Sequence, residues 1–243
     1  MKINPTALIE SKRPFYSCLR GSRLRYPVSL HPGVSEIRPN CTRGESRTWW
    51  DCVMEIVRPV ERYVESYKSA LIQEISGGSA AYPDRAQREL LEIETAPDVF
   101  LAKQDDPNAL SGDIELSDGS FVPRLPGFTR WMWDGEVCGE INFRWKNGTT
   151  DLPPHCLGHI GYEVFSWKRN KGYASEALRQ ILLEARKLDM PFVELTSDVD
   201  NIFSQKVIIN NGGVLHEKFV KPAVHGGTDG LRFRIYLNAP RSN

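Results

Sequence analysis

No run of this sequence approaches the roughly 18–20 apolar residues that a helix needs to cross a bilayer. The longest uncharged stretches are short and broken by polar groups, so no membrane partner is expected. No CxxC pair occurs. The five cysteines (Cys18, Cys41, Cys52, Cys138 and Cys156) are odd in number and widely scattered, which argues against a disulfide framework or a structural zinc site. A reducing cytoplasm is therefore the default compartment. His31, His155, His159, His216 and His225 follow no familiar ligand spacing, and no metal is expected. Neither GxxxxGK[ST] nor a GxGxxG after a strand is present, which removes a P-loop and a dinucleotide fingerprint. There is also no net charge: 31 basic side chains stand against 31 acidic ones, so the whole molecule offers no argument for a nucleic-acid partner.

The 243 residues include 40% hydrophobic and 26% charged side chains, the composition of a globular protein with material for a sizeable core. Charge is unevenly spread. Residues 1–50 carry nine basic side chains against three acidic ones, with five prolines and little apolar periodicity. They read as a basic, irregular extension, and their Arg- and Ser-rich, acid-poor character has features of an organelle transit peptide. A domain is expected over 51–243.

Within that domain CVMEIV (52–57) has strand character and stops at Arg58-Pro59. Val60, Tyr63, Val64, Tyr67, Ala70, Leu71 and Ile75 fall at helical spacing, and 86–94 is a second helical pattern. Residues 104–127 read as a long loop with one extended piece at 113–116. Two strand-like runs, 129–133 and 136–145, flank Asp134-Gly135, a hairpin signal. A third strand follows at 156–165. Ala174, Ala177, Leu178, Ile181, Leu182, Ala185 and Leu188 mark one face of a helix over 172–188. A strand at 191–198, a short helix at 204–211 and a closing strand pair, 214–220 and 231–237, complete a mixed α/β plan.

Before the clearest helix the chain reads WKRNKGYASE (167–176). Cations beside a helix start oppose its dipole, so either this is a solvated turn or an anion sits there. The N–H groups around Asn170–Ala174 would converge on a space suited to phosphate, with Gly172 permitting close approach. RNKGYA (169–174) resembles the Arg/Gln-x-x-Gly-x-Gly/Ala acyl-CoA loop of the GNAT superfamily of N-acetyltransferases. GHIGYEVF (158–165) resembles the strand that precedes that loop, and DVDNIFSQKVIINNGG (198–213) a later segment of the same family. The order of these three segments matches the family from about Cys52 to Leu237.

The resemblance implies an α/β (α+β) fold: a mixed, mostly antiparallel central sheet of about six or seven strands, with a splayed parallel pair and helices on both faces. It implies acetyl-CoA as cosubstrate and a primary amine as acceptor and partner; a homodimer is left open. The amides of Arg169, Asn170, Lys171, Gly172, Tyr173 and Ala174 would cradle the pyrophosphate. Main-chain groups of Glu163, Val164 and Phe165 would pair with pantetheine, a Val164 amide would serve the oxyanion, and Asn201 and Ser204 would reach the same arm. Two features depart from the family. Asn170 stands where a small residue is usual, and Ile208 stands seven residues after Asn201, where many relatives carry an acidic Tyr. Thiolate protonation then falls to Ser204 or water, or the chemistry relies on positioning alone. Glu163 is the first candidate for general base and Glu140 the second, each also readable as a salt-bridged strand carboxylate, with His159 a weaker third. Trp131, Trp133 and Trp145 either wall a cavity or pack the sheet. Asp105, Asp106, Asp113, Glu115 and Asp118 suit a cationic acceptor or are simply solvated. The alternative to an enzyme is a non-catalytic acyl-CoA-binding module, which Ile208 keeps open.

Overall fold

The computed structural model describes residues 54–80, 82–116 and 119–237, all within one unit, Arg47–Asn243. The expected extension over 1–50 lies outside the described residues. The elements run β1 (Glu55–Val57), α1 (Glu61–Ser76), α2 (Pro83–Thr95), α3 (Pro97–Gln104), β2 (Asp105–Asp106), β3 (Ile114–Glu115), β4 (Phe121–Val122), β5 (Gly127–Trp133), β6 (Val137–Arg144), β7 (Ile160–Val164), α4 (Tyr173–Ala185), β8 (Phe192–Asp198), α5 (Ile202–Asn210), β9 (Val214–Val220) and β10 (Asp229–Tyr236).

β5 and β6 form the hairpin that Asp134-Gly135 announces, and they organise the molecule. They sit in an antiparallel sheet of order β1-β5-β6-β7, with β2 also on β5. Side chains alternate across this sheet. Trp131 and Val137 enter one core with Val64, Tyr67 and Leu71 of α1, Ala86 and Ile93 of α2, and Phe100 of α3. Met132, Cys138, Ile141 and Phe143 enter the opposite core with Leu178 and Ile181 of α4. Helices therefore cover both faces. The buried stripe on α4 is Ala177, Leu178, Ile181, Leu182 and Ala185, as its sequence predicts, but Leu188 falls in a 3₁₀ turn beyond the helix and is exposed. Glu176–Arg179 and Glu184–Lys187 pair on the solvent side. α3 has no counterpart in the sequence reading; Pro97 starts it at the first helical position, and Phe100 anchors it at 1% exposure.

The sheet is divided where a single sheet of six or seven strands was expected. β8, β10 and β9 form their own antiparallel sheet, and β3 and β4 a separate ribbon. Among the described residues the two larger sheets are hydrogen-bonded to each other at one place. The His159 backbone N–H donates to the Glu194 carbonyl at 2.7 Å, and the Glu194 N–H donates to His159 Nδ1 at 3.0 Å. The imidazole thus takes the position of a ladder carbonyl. Among the described residues no ladder joins β7 to β8, so the outer edge of β7 is open.

One bulge sets the position of β7. The β5–β6 register passes from Met132↔Gly139 to Trp133↔Val137, leaving Cys138 as an extra residue. Gly139 faces Val164 across the next ladder, and a Cβ there would meet the Glu163 carbonyl at 2.3 Å. Only glycine allows β6 and β7 to approach so closely.

Candidate active site

The basic loop folds back on the hairpin. Residues Ser166–Lys168 form a 3₁₀ turn, Asn170 has φ 63°, and Gly172 has φ 79° as the residue preceding α4. Both angles are left-handed, which asparagine tolerates and glycine takes freely. No side chain caps α4, so its first N–H groups face outward around a loop carrying Arg169 and Lys171. Nothing lies within 4 Å of where a Gly172 Cβ would be.

The three loop cations have different roles. Lys168 is buried and binds the hairpin turn, at 2.9 Å from both Asp134 oxygens and 2.6 Å from Glu136. Tyr173 donates its hydroxyl to the same Asp134 at 2.6 Å. Burial works against the Asp134 charge, but the bonds from Tyr173 and Lys168 outweigh it and hold the carboxyl below its ordinary range. Arg169 Nε donates to the Val164 carbonyl at 3.0 Å, and Lys171 Nζ lies 5.9 Å from the Tyr173 ring centre. Lys168 is thus a fastener, while Arg169 and Lys171 remain beside the uncapped helix start.

β7 presents its two faces and its edge to different surroundings. The Phe165 N–H donates to the Cys138 carbonyl at 3.0 Å, so strand alternation turns the N–H and C=O of Val164 to the open edge. Glu163 lies directly opposite Glu140 on β6. Both carboxylates line a pocket closed by α1 and α2, together with Tyr67, Glu74, Arg85 and Glu89. Arg85 donates to Glu89 at 2.7 Å and to Glu140 at 2.5 Å, and the Tyr67 hydroxyl donates to Glu89 at 2.6 Å and to Glu140 at 3.2 Å. Burial, then the Glu140 charge, raises the Glu163 carboxyl above its ordinary value. Burial, against the opposing pull of Arg85, does the same for Glu89.

The two sequence-based base candidates therefore meet in one pocket, in different states. Glu140 is 4% exposed and already bound by Arg85 and Tyr67, whereas no ion pair among the described residues involves Glu163. His159 is fully buried away from that pocket, and desolvation pushes it down to about 4; it is a structural link between sheets. Trp131 is a core residue and Trp133 packs on Tyr63 at 4.6 Å, while Trp145 packs in the core and also lines a second cavity with residues 146–150 and 188–191. The acidic loop is also structural in part. Asp106 accepts the Leu110 and Ser111 N–H groups, each at 2.8 Å, and Asp105 pairs with Arg58 and Arg130, while Asp118 lies outside the described residues.

On the opposite face of β7, Tyr162 reaches α5. Its hydroxyl stands 3.0 Å from Ser204 Oγ, and burial pushes the phenol up to about 12. Asn201 caps α5, its side-chain oxygen accepting the Ser204 N–H at 3.0 Å. Ile208 is completely buried in the core. Glu74, Glu89, Arg85 and Tyr162 were all missed from sequence. Glu74 did carry a signal: it stands on the same helical stripe as Val64, Tyr67 and Leu71, a carboxylate where an apolar residue belongs.

Residues 119–214 match the family model described as the acetyltransferase (GNAT) domain. The chain carries a GNAT acetyltransferase domain, and it is an acyltransferase. The domain's fold also resembles that of RimL, the ribosomal L7/L12 alpha-N-protein acetyltransferase in complex with coenzyme A: 15% identity over 77% of this chain and 96% of that one, TM-score 0.52. At that identity the likeness is one of fold. MccE, a microcin C7 self-immunity acetyltransferase in complex with acetyl-CoA and AMP, matches at 13% identity over 75% of this chain and 92% of that one, TM-score 0.47. YncA, a putative acetyltransferase from Salmonella typhimurium with acetyl-CoA, matches at 13% over 78% and 97%, TM-score 0.45. No curated protein matches the sequence. Among the described residues no group of side chains could hold a metal ion, and no helix is long and apolar enough to cross a membrane.

Proposed function

We propose that this GNAT domain transfers the acetyl group of acetyl-CoA to a primary amine, by direct attack within a ternary complex. The observation that carries the reading is the juxtaposition of three features: the uncapped start of α4, the edge of β7 that no strand covers and whose Val164 carbonyl takes only the Arg169 side chain, and the unpaired Glu163 in an adjacent pocket. The N–H groups at Asn170–Ala174, with Arg169 and Lys171, hold the pyrophosphate. The edge of β7 along Glu163–Phe165, where Val164 turns its backbone groups outward, pairs with pantetheine as a strand would, with β7 and β8 acting as the family's splayed parallel pair. Asn201 and Ser204 reach the same arm from the start of α5.

Glu163, raised by burial, accepts the acceptor's proton directly or through water. The Val164 amide donates to the oxygen of the attacked carbonyl, where charge develops. With Ile208 in the core, the hydroxyl pair Tyr162–Ser204 is the proton source for the departing thiolate. Acetyl-CoA supplies the activated acyl group. Glu140, tied to Arg85 and Tyr67, positions and polarises the pocket and is not the base.

The test is thiol release from acetyl-CoA across a panel of amines, alongside CoA affinity. Amine-dependent release is expected. Gly172→Glu puts bulk and negative charge where phosphate binds and should abolish CoA binding in a protein that still folds; unaltered affinity would remove the loop assignment. Tight CoA binding without turnover of any amine would leave a binding module, the reading that Ile208 keeps open.

A further inference from the structure

The pocket beside Glu163 holds more negative charge than removing one proton requires. Glu74, Glu89, Glu140 and Glu163 line it, and Arg85 is the one cation in that lining among the described residues. Four carboxylates against one guanidinium leave a formal excess of three negative charges. Arg85 is committed to Glu89 and Glu140. Glu163 and Glu74 have no ion pair among the described residues. Glu74 is 2% exposed; its Oε1 accepts the Ser166 N–H, and its Oε2 is buried with no partner.

Such an arrangement costs stability. Like charges directly opposite on paired strands repel, and Glu140 and Glu163 are in that register. A buried carboxylate oxygen without a donor is unfavourable as well. Both costs fall if the pocket receives a cation with N–H donors. Leu71, Ala86 and Phe165 lie among the carboxylates in the lining, so charged and hydrocarbon surfaces are interleaved. The complement of that surface is a set of ammonium groups joined by short methylene chains.

We propose that the acceptor is a linear aliphatic amine with at least two ammonium groups, its reacting nitrogen at Glu163 and a second, non-reacting one at Glu74. This rests on the acetyl-transfer reading above and names the substrate class of that site.

Butylamine and 1,4-diaminobutane differ only in the second ammonium, so they isolate it. Calorimetric titration of each into the CoA-saturated protein should show the diamine binding at least about tenfold more tightly, as expected for one more desolvated charge contact. Glu74→Gln, which retains an acceptor for Ser166, should erase that preference, with CoA affinity reporting its fold. Equal binding of the two amines, binding of neither, or a preference that survives Glu74→Gln overturns the proposal. Should the variant not fold, the wild-type comparison decides alone. Thiol release is read separately: release with 1,4-diaminobutane is expected, a diamine that binds preferentially at Glu74 but is never acetylated overturns its assignment as acceptor, and release with any other amine of the panel still sustains the transfer reading.

Discussion

Glu163 and Glu140 are the same residue type on neighbouring strands, and their surroundings separate them. Glu140 has a guanidinium and a phenol; Glu163 has burial and a like charge, which hold its proton more tightly than an ordinary carboxyl does. As general base it must be ionised, so the activity it supports rises with pH as its carboxyl deprotonates, above the usual carboxylate range. The pH profile of kcat/KM should show that acidic limb. Glu163→Gln should lose the limb and about 10²–10⁴-fold in kcat with CoA affinity retained. An unchanged profile in that variant would place the base elsewhere. The sequence names both glutamates as candidates but cannot rank them, because Arg85 and Tyr67 reach Glu140 from helices 55 and 73 residues away.

At the scale of elements, the site depends on how β7 is held. Its inner edge is pinned against β6 at Gly139, its start is joined to β8 through His159, and its end runs into the loop fastened by Lys168. Gly139→Ala adds one methyl group against the Glu163 carbonyl, so β7 must shift. The expected result is destabilisation of about 1–3 kcal/mol by denaturant titration, with a fall in kcat because Glu163 moves with its strand. Neither Gly139 nor Lys168 announces this from the sequence: a glycine in a strand marks a close approach without naming the neighbour. The opposite holds for α1, α4 and the β5–β6 hairpin. Their periodicity and turn chemistry are local, so they are legible, whereas α3 is too short for periodicity to declare it.

At the scale of the molecule, the hydrogen bonds between the two larger sheets among the described residues run through His159, one from its backbone N–H and one to its neutral imidazole. His159 accepts the Glu194 N–H and is held to about 4 by desolvation, against 6.5 when free. The unfolded chain therefore takes up the proton first as pH falls. The stability this group contributes is complete above 6.5 and is lost as pH falls towards 4. Between pH 7 and pH 5 the loss should be about 2 kcal/mol by urea unfolding. His159→Asn keeps an acceptor for Glu194 without titrating, and should remove that part of the pH dependence. Equal slopes for both proteins would dissociate His159 from the acid sensitivity.

The sequence by itself determined what depends on neighbours along the chain: the amphipathic helices, the Asp134-Gly135 turn, and the Arg169–Ala174 loop, whose motif names the family. Backbone angles and helix periodicity are short-range, so local residues suffice to set them. Only the tertiary structure decided which carboxylate stays unpaired, that Lys168 is a fastener, and that Glu74, Glu89 and Arg85 join β6 and β7 in one pocket. Ion pairing and desolvation depend on distance in space, and those residues come together only when α1 and α2 pack on the sheet.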